Sequence, residues 1–242
     1  MSIFKLQNRS FLRLSGPDSM RYLNGQITQK VESLNQRSLW TAVTNAKGGI
    51  EGVGCVRQLK ENEYLLDFPL ELGDLMEARL DRYLIADDCE WVREDERWDI
   101  LVSEQNEFGC VSNRFRSEGI CEKVEEATSQ YSELPRELET EWCARYGVPR
   151  WGYEIFGKEL PAEVGLYELA LSFDKGCYIG QEVISRMETA GKTRKKLYQI
   201  KGRNLSVEDA TTTCSYEGVD YVLMFSKKDP SERFPNAEVR AF

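Results

Sequence analysis

The segment from Lys175 to Glu182, Lys-Gly-Cys-Tyr-Ile-Gly-Gln-Glu, holds the residues whose types and spacing are best suited to chemistry. Its cysteine, Cys177, is flanked by glycines, which permit a tight bend or the close approach of a ligand. Hydrophobic residues at helical spacing follow, so we expect a helix to begin near Gln181. The helix N-terminus, with Lys175 and Arg186 nearby, would favour a reactive thiolate. The alternative is that Cys177 is a small buried hydrophobic residue.

The chain has no histidine among its 242 residues. This excludes Ser-His-Asp and Cys-His catalysis and every metal site that uses histidine. The seven cysteines form no Cys-x-x-Cys pair and have no regular spacing, so we expect reduced thiols rather than a disulfide framework. We therefore expect no tightly bound metal. An iron–sulfur cluster held by four scattered cysteines is the less favoured alternative.

Charge is unevenly distributed along the chain. The net charge of −9 argues against general affinity for nucleic acid. Residues 118–141 contain eight glutamates and are expected to form a solvated face over a connecting region. Residues 186–203 contain seven lysines and arginines, which either add positive potential near Cys177 or lie on an exposed turn and strand edge.

No stretch approaches the roughly 18 apolar residues of a membrane helix, and the start of the chain lacks the apolar region of a signal peptide. We expect a cytoplasmic protein with no membrane partner.

Hydrophobic periodicity predicts an α+β protein. We expect a helix after Pro17 that Gly25 closes, a strand hairpin across residues 39–59, and an amphipathic helix that then packs on this sheet. The apolar face of that second helix is marked by Leu72, Leu75, Met76, Leu80 and Tyr83. Further segments are predicted as strands at 4–14, 64–68, 90–92, 98–102, 108–111, 196–201 and 221–225, as a helix at 135–146, and as a polar linker between the last two strands.

The segment around Cys177 is similar to the signature Lys-Gly-Cys-Tyr-x-Gly-Gln-Glu of the YgfZ family, relatives of the glycine cleavage T-protein, with every fixed position matched. Other segments that resemble the family follow in the same order: Leu23–Thr28, Asn45–Ile50, Tyr83–Asp88 and Leu160–Leu166. The resemblance implies a T-protein-like folate-binding core of mixed sheets and helices over residues 1–195. It implies an abbreviated β-barrel module over residues 196–242.

The same resemblance implies tetrahydrofolate or a derivative in a central cavity, and a role in assembling or repairing iron–sulfur clusters in client proteins through Cys177. Such a cavity needs aromatic walls and cations near its mouth. The aromatic candidates are Trp40, Tyr83, Trp151 and Tyr178, each with core packing as the alternative. The polar candidates are Arg145, Lys192 and Arg194 for the glutamate tail, with Lys175, Gln181 and Glu182 from the signature.

Three positions depart from the T-protein and its relatives. Gly52 falls where the T-protein has the acid that handles the aminomethyl group. Arg145 replaces a glutamate that reaches the pterin, and Gln29-Lys30 replaces an acidic residue. We therefore expect no aminomethyltransferase activity. A one-carbon transferase and a cysteine-bearing adaptor that binds no folate are the alternative functions.

Overall fold

A computed structural model describes residues 3–34, 38–104, 108, 112–115, 119–190 and 193–242. Within these residues the strands, in chain order, are β1 Phe4–Lys5, β2 Arg9–Ser15, β3 Leu39–Thr44, β4 Ile50–Lys60, β5 Glu63–Pro69, β6 Glu90–Arg93, β7 Trp98–Ser103, β8 Cys121–Glu126, β9 Ser132–Glu133, β10 Lys196–Gly202, β11 Ala210–Tyr216, β12 Val219–Ser226 and β13 Glu238–Ala241. The α-helices are α1 Ser19–Gln26, α2 Gly73–Asp81, α3 Arg136–Tyr146, α4 Tyr167–Ala170 and α5 Gln181–Ala190.

A five-stranded sheet in the order β3-β4-β5-β2-β6 forms the centre of the fold. All of its neighbouring strands pair antiparallel, and each face packs against a separate hydrophobic cluster. On one face, α1 and α2 contribute Leu23, Met76 and Leu80. On the other face, Trp40, Val53 and Cys55 pack with α3 and with the segments that lead to α5. The alternation of side chains along β4 thus assigns its residues to two cores.

Two smaller sheets complete the α+β fold. One has the order β8-β7-β1-β9 and the other, near the end of the sequence, has the order β11-β12-β10-β13. The latter sheet begins at Lys196, and its Gln199 side chain donates to the main-chain oxygens of Ala144 and Arg145 in α3. The predicted mixture of sheets and helices is confirmed, and so is the C-terminal sheet module.

Phe242 joins this C-terminal sheet to the rest of the protein. A Cβ atom added at Gly147 would lie 2.0 Å from the Phe242 ring, and one added at Gly165 would lie 2.2 Å from the Phe242 Cβ. Both glycines have positive φ, at +68° and +71°. The two turns therefore need glycine for their backbone conformation and also to leave room for Phe242.

Several element predictions are wrong in detail. Residues 118–141, which we expected to form a solvated face, contain strand β8, and Glu122 in this strand is buried. A carboxylate can be buried where it pairs with arginine side chains. The expected polar linker contains strand β11. Leu75 and Tyr83 are exposed, whereas Arg79 is buried between them, so the apolar face of α2 is narrower than predicted. The strand predicted at 108–111 lies largely outside the described residues.

None of the helices in the described part of the chain is long and apolar enough to cross a membrane.

Candidate functional site

The cysteine loop, which we define as residues 171–180, joins α4 to α5. The helix α5 begins at Gln181, as predicted, and the Gln181 side chain accepts a hydrogen bond from the main-chain N–H of Tyr178 at 3.2 Å. Cys177 is exposed, whereas Cys55, Cys121 and Cys143 are buried. The interpretation of Cys177 as a buried hydrophobic residue is therefore wrong, since its thiol is open to solvent.

The end of the cysteine loop docks on the turn between β3 and β4. Gly180 has φ of +89°, and a Cβ atom there would lie 2.4 Å from the main-chain oxygen of Asn45. The Thr44 hydroxyl donates to the main-chain oxygen of Ile179 at 2.5 Å. Gly48 in turn faces Val183 and Ile184 of α5 at close distance. The end of the cysteine loop and the turn between β3 and β4 can therefore pack closely, because Gly180 and Gly48 have no side chain to fill the space between them.

Lys175 turns inward beneath the loop. Its Nζ donates to the main-chain oxygens of Ile27 at 2.8 Å and Gln29 at 2.7 Å, and lies 5.2 Å from the centre of the Tyr178 ring. Burial lowers the pKa of the Lys175 ammonium to about 8. The Lys175 amine therefore binds main-chain oxygens beneath the loop and does not face the solvent beside Cys177.

Tyr178 is also buried, and its hydroxyl has no hydrogen-bond partner among the described residues. Burial raises the pKa of Tyr178 well above its usual range, so the hydroxyl stays protonated at neutral pH.

The remaining signature residues lie at the solvent. Glu182 and Arg186, one turn apart on α5, form an exposed ion pair. A shallow depression of about 560 Å³ lies beside them, and its lining includes Ala46, Cys177 and Val183. Gln181, Glu182 and Ser185 also line it, so both polar and apolar groups surround the thiol on this side.

Of the cationic candidates, the described residues Arg145 and Arg194 do not line the depression beside Cys177. Arg145 pairs with Glu141 at 2.8 Å and lies over the Tyr216 ring at 3.6 Å, between α3 and the C-terminal sheet. Arg194 is exposed, and Lys192 lies outside the described residues. Lys195 approaches Glu159 at 3.9 Å and the Phe225 ring at 4.0 Å.

A separate central cavity of about 390 Å³ lies against β4, α3 and the segment after α3. Two of the predicted aromatic residues, Trp40 and Trp151, line it. Tyr83 and Tyr178 do not, and Tyr83 instead lies under the Arg79 guanidinium. Sequence reasoning missed the charged residues of its wall, which are Arg9, Glu71, Arg114, Arg136, Glu139 and Arg150.

Arg150 is the cavity residue that a sequence signal could have identified, because it directly follows Gly147-Val148-Pro149. Its guanidinium donates to Thr140 and Thr212 and stacks on the Tyr153 ring at 3.8 Å. Its Nε is buried and has no partner among the described residues. Buried donors without a partner are uncommon in folded proteins.

A buried ionic cluster supports this cavity from behind. Asp67 accepts hydrogen bonds from Arg9, Arg57 and Arg114, and Glu122 accepts from Arg57 and Arg114. Burial alone would raise the pKa of Asp67, but the three guanidinium groups reverse this effect and hold it well below its usual range. Cys55 lies within 4.8 Å of both carboxylates. The guanidinium groups nevertheless occupy this site, and burial raises the pKa of the Cys55 thiol, which disfavours metal ligation.

Gly52, where the resemblance predicts that the acid of the T-protein is missing, lies in β4. A Cβ atom at Gly52 would lie 2.5 Å from the Met76 sulfur, on the face of the sheet that packs against α2. Glu51 points to the same side and accepts from Arg79 at 2.7 Å. Val53, by contrast, lines the central cavity. Neither Glu51 nor a side chain at position 52 is directed into this cavity.

The predicted site residues therefore divide into separate groups. Lys175, Cys177, Tyr178, Gln181 and Glu182 belong to the cysteine loop and the first turn of α5. Trp151 belongs to the central cavity, and the depression beside Cys177 shares no lining residue with that cavity. Arg145 and Arg194 line neither.

The chain was compared with known proteins. No protein-family model matches it. Over 227 residues it is 24% identical to a protein named tRNA-modifying protein YgfZ from Aliivibrio fischeri, with 83% of this chain and 71% of that protein covered. Over 76 residues it is 41% identical to a protein named iron-sulfur cluster assembly factor IBA57 homolog, mitochondrial, from Eremothecium gossypii. That second match covers 30% of this chain and 16% of the relative.

The structure is similar to the crystal structure of the glycine cleavage system aminomethyltransferase T from Bartonella henselae. The TM-score is 0.73, the sequence identity is 12%, and the match covers 93% of this chain and 78% of that one. At this level of identity the likeness establishes the fold.

Proposed function

We propose that this chain, a YgfZ-like protein with the T-protein fold, is a folate-binding accessory protein in iron–sulfur cluster assembly or repair that acts through Cys177. The observation that carries the proposal is the pairing of an exposed thiol on a well-anchored bend with a separate central cavity of aromatic and cationic groups. Relatives along most of the chain are named YgfZ, and one segment resembles an iron–sulfur cluster assembly factor.

The residues of the central cavity fit a tetrahydrofolate ligand. Trp40 and Trp151 supply aromatic surface for a pterin, and Arg136 lies near the mouth, where it would meet a carboxylate of the tail. Tetrahydrofolate supplies a reduced pterin that carries one-carbon units, and in this proposal the protein binds and orients it.

Aminomethyl transfer is not favoured, because Gly52 stands where the resemblance places the acid of the T-protein, and a carboxylate there would meet Met76. The acids of the cavity wall, Glu71 and Glu139, lie on other segments. We therefore propose that the chain is not an aminomethyltransferase. A preparation that turns over an aminomethyl donor with tetrahydrofolate above the no-protein control would overturn this proposal.

The name of the YgfZ relatives refers to tRNA modification. With a net charge of −9, this chain is poorly suited to direct contact with RNA phosphates. We therefore propose that any link to tRNA modification operates through an iron–sulfur client enzyme. We also propose that the protein acts in the cytoplasm.

Two experiments test the proposed function. Calorimetric titration with tetrahydrofolate should detect binding to the wild-type protein, and its absence would favour the adaptor that binds no folate. In cells that lack this protein, the wild-type chain should restore the activity of iron–sulfur enzymes, whereas Cys177→Ser should not. Serine keeps much of the side-chain size but is a poor soft-metal ligand and forms no disulfide. Full rescue by Cys177→Ser would disprove the role of the thiol.

A further inference from the structure

The cysteine loop is anchored to the same neighbouring segment at both ends. At its start, the Ser172 N–H donates to the main-chain oxygen of Thr28 at 3.0 Å. At its end, the Ile179 N–H donates to the main-chain oxygen of Gly25 at 3.4 Å, and Thr44 bonds to Ile179 from the hairpin side. The span between these anchors, residues 173–178, carries Cys177.

Two side chains of this span turn inward, those of Lys175 and Tyr178. Lys175 reaches the main-chain oxygens of Ile27 and Gln29, which lie in the segment that anchors both ends of the loop. Cys177 is two residues from Lys175 and exposed. A further link between the same segments, the Lys30–Asp174 pair at 3.4 Å, lies at the surface, where such pairs contribute little.

We propose that Lys175 is a positioning residue for Cys177, because its ammonium group ties the middle of the cysteine loop to Ile27 and Gln29 and so fixes the bend that presents the thiol. This inference rests on the proposed function only in taking Cys177 as the working group. It assigns Lys175 a role other than folate binding or the direct activation of the thiol.

The energetics of this contact favour a positional role over a stabilising one. A buried ammonium that loses its hydration costs free energy, which its two acceptors offset in part. The lowered pKa of Lys175 means that the folded protein binds its proton less tightly than the unfolded chain does. Holding the charged amine inside therefore lowers folding stability below about pH 8, and this cost disappears as the pH rises towards the ordinary lysine value.

The charged groups around Lys175 are few. Glu32, from the turn after Gln29, favours the charged amine, and the Tyr178 ring remains neutral because its pKa is raised. Lys30 and Asp174 pair with each other at the surface. A change in the loop between pH 7 and pH 9 would thus report mainly on Lys175.

The test is the mobility of a nitroxide label on Cys177, measured by electron paramagnetic resonance in a background with Cys89, Cys110 and Cys214 replaced by serine. Labelling removes the titration of Cys177 itself. We expect Lys175→Met to increase the label mobility at pH 7 while the melting temperature stays equal to or above that of the parent. Lys175→Arg, which keeps two donors, should restore most of the ordering. The matched control, Lys30→Met, should leave the spectrum unchanged.

The proposal is overturned if the label in Lys175→Met is as ordered as in the parent, or if Lys30→Met loosens it equally. Should Lys175→Met fail to fold, the labelled parent decides the matter, since its label mobility should rise between pH 7 and pH 9 and a constant spectrum would refute the role of the ammonium. This readout does not depend on folate or on a client protein. It therefore separates a failure of the positioning role from a failure of the proposed function.

Discussion

The central cavity and the cysteine loop are built in opposite ways. The cavity is supported by a buried ionic cluster whose members, Arg9, Arg57, Asp67, Arg114 and Glu122, come from distant parts of the chain. The cysteine loop is one continuous run of residues that is held by main-chain contacts to residues 25–29, by Thr44 and by the turn at Gly180. The cavity support thus depends on buried charge, whereas the loop depends on hydrogen bonds to the main chain and on a glycine turn. Substitutions should therefore affect the two regions differently.

The largest effect is expected for Asp67→Asn. Removing one carboxylate leaves three guanidinium groups with too few partners in a buried site, which typically costs about 3–5 kcal/mol of folding stability. The denaturant midpoint of the variant should fall accordingly. Asp174→Asn is the matched control, since that side chain is fully exposed, and its midpoint should not change. A midpoint for Asp67→Asn close to that of the parent would show that the cluster does not support the fold.

The pH dependence of stability sharpens the same test. The pKa of Asp67 is lower in the folded protein than in the unfolded chain, where it is about 3.9. Its stabilising contribution is therefore present above about pH 4 and is lost as the pH falls through the folded value. The stability difference between the wild-type protein and Asp67→Asn should shrink on acidification from pH 5 to pH 2, and a constant difference would contradict the assignment.

Gly180→Ala should disrupt the junction of the cysteine loop with the hairpin. The positive φ and the contact with the Asn45 oxygen together should cost about 2 kcal/mol. The matched control is Gly176→Ala, because a Cβ atom at Gly176 meets no other atom within 4 Å and its φ is not positive. Thermal denaturation should separate the two variants. Equal stability would mean that Gly180 is not needed for the bend.

Cys177 should react with a small alkylating reagent faster than the other described cysteines, by about tenfold or more at neutral pH. Its competitors are less accessible, and burial raises the pKa of both Cys89 and Cys214 to about 11. Peptide mapping by mass spectrometry after brief labelling measures the order of reaction. If Cys89 or Cys214 were modified before Cys177, the prediction that the exposed thiol reacts first would be wrong.

The smallest effect is expected at the mouth of the central cavity. Arg136→Ala should weaken the binding of polyglutamated tetrahydrofolate by about three- to tenfold at low salt and less at high salt, because exposed charge attraction is screened. Arg194→Ala, which removes an exposed arginine that does not line this cavity, should bind as the parent does. If Arg194→Ala weakened binding and Arg136→Ala did not, the glutamate tail would lie at the basic residues of segment 186–203, as the sequence predicted.

The same contrast explains which features the sequence could predict. The start of α5 and the hairpin at Asn45–Gly49 depend on glycines and periodicity within a few residues, so they can be predicted from neighbouring residues in the sequence. The burial of Glu122 could not be predicted in this way, because its partners Arg57 and Arg114 lie on other segments. A run rich in acidic residues ordinarily indicates a solvated surface.

The directions of the site side chains could not be predicted, for a related reason. Lys175 was expected to add charge near the thiol, but the direction of a long side chain depends on which acceptors the fold places within its reach. Likewise the wall of the central cavity includes Arg9 and Arg136, which are separated by more than a hundred positions. No local pattern marks such residues as neighbours.

The contact of Phe242 with Gly147 and Gly165 also has a consequence for synthesis on the ribosome. At the usual rate of about 5–20 residues per second, residue 242 is added roughly 5–20 seconds after residue 147. During that interval the two turns exist without the ring that fills the space between them. Most of the chain can begin to fold as it emerges, but the contacts of Phe242 with these two turns cannot form until residue 242 has left the exit tunnel.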